Sequence, residues 1–287
     1  MTGPDIAAFF DEATFTVSYL VADPATSRAA VIDPVLDYDP AAGRTSTESA
    51  HRLLAAASER ELAIDWILET HVHADHLSAA RYLANETGAK TGIGRHVIDV
   101  QRTFIPLFAI DDVEADGSRF DVLFDDGDTF EIGDLEGRVI ATPGHTPACM
   151  TYVIGDAAFV GDTLFMPDFG TARTDFPGGD AATLYDSIQR ILALPDQTRL
   201  FMCHDYKAPG RDHYAWETTV AEEKARNIHV HDGASEEDFV TMRTQRDATL
   251  SMPRLILPSV QINMRAGQKP PAEDNGVSYL KIPLDAI

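Results

Sequence analysis

The chain has 287 residues, 44% of them hydrophobic and 24% charged, enough apolar content to exclude a disordered polymer and enough length for one large core or two small ones. Its 23 Lys+Arg against 46 Asp+Glu leave a formal net charge of −23, which repels nucleic-acid phosphates and argues against a nucleic-acid partner. Two cysteines, Cys149 and Cys203, are too few for a disulfide framework; with no basic-then-apolar leader and no apolar run near the ~20 residues of a membrane span, a cytoplasmic protein without membrane attachment is expected.

Phe15–Val21 and Ala29–Ile32 read as strands joined across Asp23-Pro24-Ala25-Thr26-Ser27, an opening hairpin that Asp33-Pro34 terminates. Thr45 with Glu48 has capping-box spacing, and Leu53, Leu54, Ala57 and Leu62 behind it predict an amphipathic helix. An apolar strand then runs to Thr70. Leu77 to Glu86 places Leu77, Ala80, Leu83 and Ala84 on one helical stripe, closed by Gly88. Thr91-Gly92-Ile93 is a short strand, and His96 to Ile110 carries no decisive period.

Phe120–Phe124 and Thr129–Ile132 flank the acidic turn Asp125-Asp126-Gly127-Asp128, the strongest hairpin signal in the chain. Arg138–Ala141 is a further strand that stops at Pro143-Gly144, and Thr151–Ile154 is expected to pair with Ala158–Val160 across Gly155-Asp156. Leu184, Ile188, Ile191 and Leu192 have helical spacing up to Pro195; Leu200–Met202 is a short buried strand; Glu217–Arg226 and Glu236–Asp247 are charged helices. Pro253, Pro258, Pro270 and Pro271 mark a turn-rich tail expected to wrap over the surface. No fixed-period repeat or low-complexity linker interrupts residues 1–287, which predicts a single domain.

The apolar strand before Thr70 ends in His71-Val72-His73-Ala74-Asp75-His76, three histidines and a carboxylate in six residues. Buried imidazoles need partners for both ring nitrogens, so such a cluster at a strand end points to a metal rather than to packing, with a solvated His-rich loop as the alternative. Three other places repeat the pattern of apolar strand, tight turn and metal-competent residue: His145 after Pro143-Gly144, Asp162 after Gly161, and His204 after Cys203. Strand-end loops are where a sheet can aim ligands from distant positions at one point. Histidine and carboxylate without thiolate suit Zn, Fe or Mn. Five histidines and two aspartates exceed the needs of one ion, so either two metals share Asp162 or a subset binds one ion while the others orient it. Cys203 reads as core; Cys149 follows the His145 loop and could face the site.

Thr70–His76, Pro143-Gly144-His145-Thr146-Pro147, Gly161-Asp162 and His204-Asp205-Tyr206 resemble the motifs of the metallo-β-lactamase superfamily, which implies an α+β fold, an αββα sandwich with the metal site at one edge of two packed sheets. From about Phe15 to Leu255–Gly267 the chain is similar to the persulfide dioxygenases (sulfur dioxygenases), most of all to the bacterial branch that includes the β-lactamase-hydrolase-like proteins. That resemblance implies one Fe(II) per chain held by His71, His145 and Asp162, with His73, Asp75, His76 and His204 around it or serving a second metal. Two histidines and one carboxylate with open positions suit a non-haem Fe(II) oxygenase. The implied reaction oxidises glutathione persulfide with O₂ to sulfite and glutathione.

Arg173-Thr174-Asp175-Phe176 resembles a substrate-loop motif of that family, and Arg173 can hold a carboxylate bidentately or pair with Asp175 or Asp168. Tyr206, Lys207 and Arg211 are further substrate-binding candidates. The segment from Asp162 to Arg173 is longer than in animal-type members, and Ala172 stands where they carry Gly, a departure that bears on which thiol is recognised. The alternative is a dinuclear zinc thioester hydrolase like glyoxalase II, which would recruit His73, Asp75, His76 and His204 as ligands; a metal-dependent binding or sensor protein is a third reading. A homodimer is possible, although no exposed apolar stripe argues for it.

Overall fold

A computed structural model describes residues 3–286. The first sheet contains β1 (Asp5–Asp11), β2 (Thr16–Asp23), β3 (Arg28–Ile32), β6 (Ala63–Leu68), β8 (Lys90–Gly94) and β9 (Val122–Phe124) in that spatial order. A short ribbon of β4 (Val35–Asp39), β5 (Arg44–Ser46) and β7 (Leu77–Ser78) lies beside it. The second sheet runs β10 (Thr129–Ile132), β11 (Leu135–Ala141), β12 (Met150–Ile154), β13 (Ala157–Phe159), β14 (Arg199–Phe201) and β15 (Glu217–Thr219). The helices are α1 (Glu48–Glu59), α2 (Ala80–Thr87), α3 (Val97–Leu107), α4 (Ala181–Leu192), α5 (Val220–Arg226), α6 (Glu236–Asp247) and α7 (Ile256–Asn263).

Side chains alternate across each strand, so the inner strands serve two cores. Val17, Tyr19 and Val21 of β2 point inward to meet Val139, Tyr152, Phe159 and Phe201 of the second sheet. Leu20, Val31 and Ile67 face outward against Leu53 and Ala57 of α1 and Leu83 of α2. Behind the second sheet, Ala158, Val160 and Leu200 pack on Leu184, Ile188 and Ile191 of α4, Val220 of α5 and Phe239 of α6. Helix, sheet, sheet, helix is the αββα sandwich. Among the described residues no helix is long and apolar enough to cross a membrane.

The hairpin expected at the start forms, with Tyr19 opposite Ile32 and Asp23 opposite Arg28, but it does not open the chain, because β1 precedes it and pairs antiparallel with β2; the pairing of Tyr152 with Phe159 forms as expected. Gly88 takes the expected left-handed cap of α2 at φ 75°, although Leu77 and Ser78 are strand rather than helix. The acidic segment 125–128 does not close a hairpin. Val122–Phe124 pairs in parallel with β8, whereas Thr129–Ile132 joins β11 in the other sheet. A local turn does form there, its Asp126 carboxylate accepting from Ala141 N–H at 2.8 Å and from Arg190; alternation around a turn signal does not reveal which sheet each strand enters.

The Thr45 capping box fails because Thr45 lies in β5; Asp37 accepts instead from the Ser49 N–H at 3.0 Å. Residues 97–107 are helical, and Glu217–Thr219 is a strand ahead of α5. The tail holds a buried helix, α7, which tolerates Pro258 because the first helical turn leaves its N–H groups unbonded.

Candidate metal centre

Strand ends from both sheets converge on one site. The chain leaves β6 into Glu69–His76, β11 into Pro143-Gly144-His145, β13 into Gly161-Asp162 and β14 into His204. Two glycines permit the approach. Gly144 has φ 133° and lies so close to α4 that a Cβ would sit 2.4 Å from the Leu184 backbone; at Gly161, φ 51°, a Cβ would meet Thr70 Oγ1 at 2.6 Å.

Hydrogen bonds fix which nitrogen each histidine offers. Thr70 donates its hydroxyl to Asp33 at 2.9 Å, so it accepts from His71 Nδ1 at 3.0 Å and leaves the His71 Nε2 lone pair free. His73 Nε2–H donates to Asp33 at 3.0 Å and Glu69 at 3.1 Å, which leaves Nδ1. His145 Nδ1–H donates to the Arg173 carbonyl at 2.8 Å and His204 Nδ1–H to the Phe15 carbonyl at 3.3 Å, leaving Nε2 in both.

These free atoms are the ones without partners. His71 Nε2, His73 Nδ1, His76 Nε2, His204 Nε2, Asp75 Oδ2 and Asp162 Oδ1 are buried with no hydrogen bond. Orphaned buried polar atoms are costly, and six in one place are accounted for by a cation. Together with His145 they fall into two sets whose ligand atoms lie within 4.8 Å of one another, His71-His145-Asp162 and His73-Asp75-His76-His204. Asp162 touches both: its carboxylate is 3.9 Å from His71 Nε2, 3.6 Å from His145 Nε2 and 3.3 Å from His204 Nε2. Asp75 is 3.2 Å from His204 Nε2.

Burial first, then the neighbouring imidazoles, holds His71 well below the ordinary histidine pKa, in the neutral, metal-binding form. Burial likewise lowers His76. Burial also pulls on His73, but Asp33 and Glu69 outweigh it and raise it well above the usual value. Both thiols are buried, and the Cys203 sulfur lies within 4.8 Å of ligand atoms of Asp162 and His204. Burial pushes Cys149 up to about 12 and Cys203 well above the ordinary range, so neither is a poised nucleophile.

The support beneath the ligands is carried by residues not singled out in the sequence. Asp33 accepts from the Thr70 N–H at 2.7 Å as well as from Thr70 Oγ1 and His73. Glu69 accepts from His73 and from the Ser78 hydroxyl. Asn263 of α7 donates to the His73 and His76 carbonyls at 2.8 Å each and accepts from the Ser78 N–H at 2.8 Å, clasping the histidine loop. Asp33-Pro34 carried a signal only as a strand terminator, and Asn263 only as part of the closing segment Leu255–Gly267 of the family resemblance, with no role attached.

A cavity of about 550 Å³ opens over Asp75, His145 and Asp162, walled by Phe15, Phe165, Phe169 and Tyr206. Of the sequence-nominated substrate residues, Tyr206 and Arg173 line it. Arg173 is forked onto Asp175 at 2.5 Å, the ion-pair alternative. Arg211 is likewise taken by Asp168 at 2.7 Å and Asp205 at 2.6 Å, and Lys207 stands over the Tyr214 ring at 4.4 Å. Neither Lys207 nor Arg211 lines the cavity.

The sequence profile of the Metallo-beta-lactamase superfamily matches residues 11–204, which carry every residue of both ligand sets. The chain belongs to this superfamily. A probable metallo-hydrolase of Burkholderia pseudomallei is 57% identical over 98% of this chain and 99% of its own. A Dictyostelium discoideum protein named Glyoxylase B2 is 49% identical over 98% and 97%, and the mouse mitochondrial persulfide dioxygenase ETHE1 32% over 92% and 89%. Among solved metallo-β-lactamase folds, ETHE1 from Myxococcus xanthus superposes with a TM-score of 0.74 at 34% identity, over 92% of this chain and all of that one.

Proposed function

We propose that the protein is an Fe(II)-dependent persulfide dioxygenase that converts glutathione persulfide, O₂ and water to glutathione and sulfite. The observation that carries this reading is the His71-His145-Asp162 set, two imidazoles and one carboxylate beneath a cavity. Three protein ligands of this kind leave coordination positions for substrate and O₂, which is the chemistry an Fe(II) supplies when bound. The likeness to ETHE1 proteins in sequence and fold supports it.

The chain's own residues would do the rest. Thr70 and the Arg173 carbonyl keep His71 and His145 in the tautomers that present Nε2. Phe15, Phe165 and Phe169 keep the cavity wall apolar, which limits water around a reactive sulfur. Tyr206 continues that wall, its ring centroid 5.5 Å from Phe15 and 5.3 Å from Phe169.

A dinuclear zinc thioester hydrolase is the second reading, favoured by the completeness of the His73-Asp75-His76-His204 set and by the relative named Glyoxylase B2. Metal analysis of protein purified without oxygen separates the two. Close to one iron per chain, with O₂ consumed only when glutathione persulfide is supplied, supports the dioxygenase. Two zincs per chain with cleavage of a glutathione thioester would overturn it.

A further inference from the structure

We infer that Arg246 and Arg254 form an anion-binding rim that selects carboxylate-bearing substrates for the metal centre. The inference rests on the cavity being the substrate site of the proposed activity and names the chemical class that this site admits.

Both arginines line the cavity that reaches His145 and Asp162. Arg246 lies in the last turn of α6 and Arg254 in the connection to α7, so together with Leu250 and Pro253 they make a wall of that cavity. What sets them apart from Arg173 and Arg243, the other two arginines of the cavity, is the lack of a counter-ion. The chain carries 46 acidic against 23 basic side chains, so a carboxylate is usually at hand for an arginine. Arg173, Arg211, Arg243 and Arg265 are each held by one at 2.5 to 2.6 Å. Among the described residues neither Arg246 nor Arg254 has a carboxylate within 4.0 Å, and the one hydrogen bond made by either side chain is a 3.5 Å contact from Arg254 to the Ala13 carbonyl.

An unpaired guanidinium in so acidic a molecule raises the local potential where an anion must enter, and its fork matches a carboxylate in two-point geometry. Phe15, Phe165, Phe169 and Tyr206 give the same cavity an aromatic lining, suited to the uncharged stem of a ligand. Metal at the floor, an aromatic flank and two cations at the rim describe a thiol derivative whose sulfur goes down and whose carboxylates stay out. A cavity of about 550 Å³ accommodates a tripeptide thiol of this kind.

Binding of glutathione and of glutathione diethyl ester, whose carboxylates are masked, to the metal-loaded protein tests this by calorimetry. Wild type is expected to bind the acid about tenfold more tightly than the ester, and Arg246→Gln/Arg254→Gln to bind the two alike, with the ester unchanged from wild type. Both side chains are exposed, so the variant should keep the wild-type melting temperature and metal content. Arg246→Lys/Arg254→Lys should retain part of the preference. Equal binding of acid and ester by wild type, failure of wild type to bind either, or a preference untouched in the double Gln variant would each overturn the rim. A wild type that shows the arginine-dependent preference but consumes no O₂ with glutathione persulfide would retire the dioxygenase reading and leave the rim in place.

Discussion

Replacing Asn263 by Ala should damage the metal centre from a residue that has no contact with a metal. The side chain is 4% exposed and makes three hydrogen bonds at 2.8 Å, donating to the His73 and His76 carbonyls and accepting from the Ser78 N–H. Truncation leaves three buried backbone groups without that partner, each costing on the order of 1–3 kcal/mol when nothing replaces it. Because one cavity is shared and water can re-enter it, the losses are not additive, and the expected total is about 3–5 kcal/mol. For a chain of this size that corresponds to a fall in melting temperature of roughly 5–8 °C. The loop that carries His71, His73, Asp75 and His76 is then no longer clasped, so iron content after dialysis should fall as well. Asn263→Asp discriminates between packing and hydrogen bonding. It keeps the volume and one acceptor, loses both donors and turns a carboxylate oxygen toward two carbonyls, so at neutral pH it should be at least as harmful as Ala. An Asp variant that melts and binds iron like wild type would refute the reasoning.

Glu223 supplies a pH dependence remote from the metal. It is fully buried, Oε1 has no partner and Oε2 accepts from Asn227 at 2.6 Å; burial pushes its pKa up from 4.5 to about 8. The folded state therefore holds this proton more tightly than the unfolded chain, and the stability it lends is complete below pH 4.5 and lost as pH rises toward 8. Such a shift has a ceiling of roughly 5 kcal/mol, which relaxation and water entry reduce to about 1–3 kcal/mol; Glu223→Gln should abolish this fall between pH 6 and pH 8.5 in urea titrations, and an unchanged fall would count against it. Gly144→Ala would place a methyl 2.4 Å from the Leu184 backbone at φ 133°, and a loss of about 2–4 kcal/mol together with lower iron occupancy is expected. Wild-type melting and metal content would contradict that account. His204→Gln distinguishes one ion from two: His204 reaches the His71-His145 set only through Asp162, so a mononuclear protein should keep close to one iron, and a dinuclear one should drop from two metals toward one.

The sandwich and its metal loops were legible because each ligand follows an apolar strand and a turn, a local pattern that period and composition carry. Sheet membership was not, as Val122–Phe124 and Thr129–Ile132 illustrate: the acidic turn between them forms, yet its arms enter different sheets. α7 was hidden by Pro258, which reads as a breaker until its place in the first turn is known. The supports Asp33, Glu69 and Asn263 were hidden for a different reason. Asp33 lies 40 positions from His73 and Asn263 lies 190, and such partners are set by tertiary packing alone. The basic residues close to the motifs, Arg173 and Arg211, proved to be occupied by Asp175, Asp168 and Asp205.

Charge gives these observations a common cause. Asp75 and Asp162 sit close to His71 and His76, which burial keeps neutral, while the high pKa of His73 serves Asp33 and Glu69. Around the free nitrogens the local balance is therefore negative, a divalent cation is what neutralises it, and an overall charge of −23 assists cation capture. The same field opposes any anionic substrate. An acidic metalloenzyme with an anionic substrate must locally reverse its own potential at the mouth of the site, where the paired Arg173 contributes little net charge and Arg246 and Arg254, with no carboxylate within 4.0 Å among the described residues, contribute more.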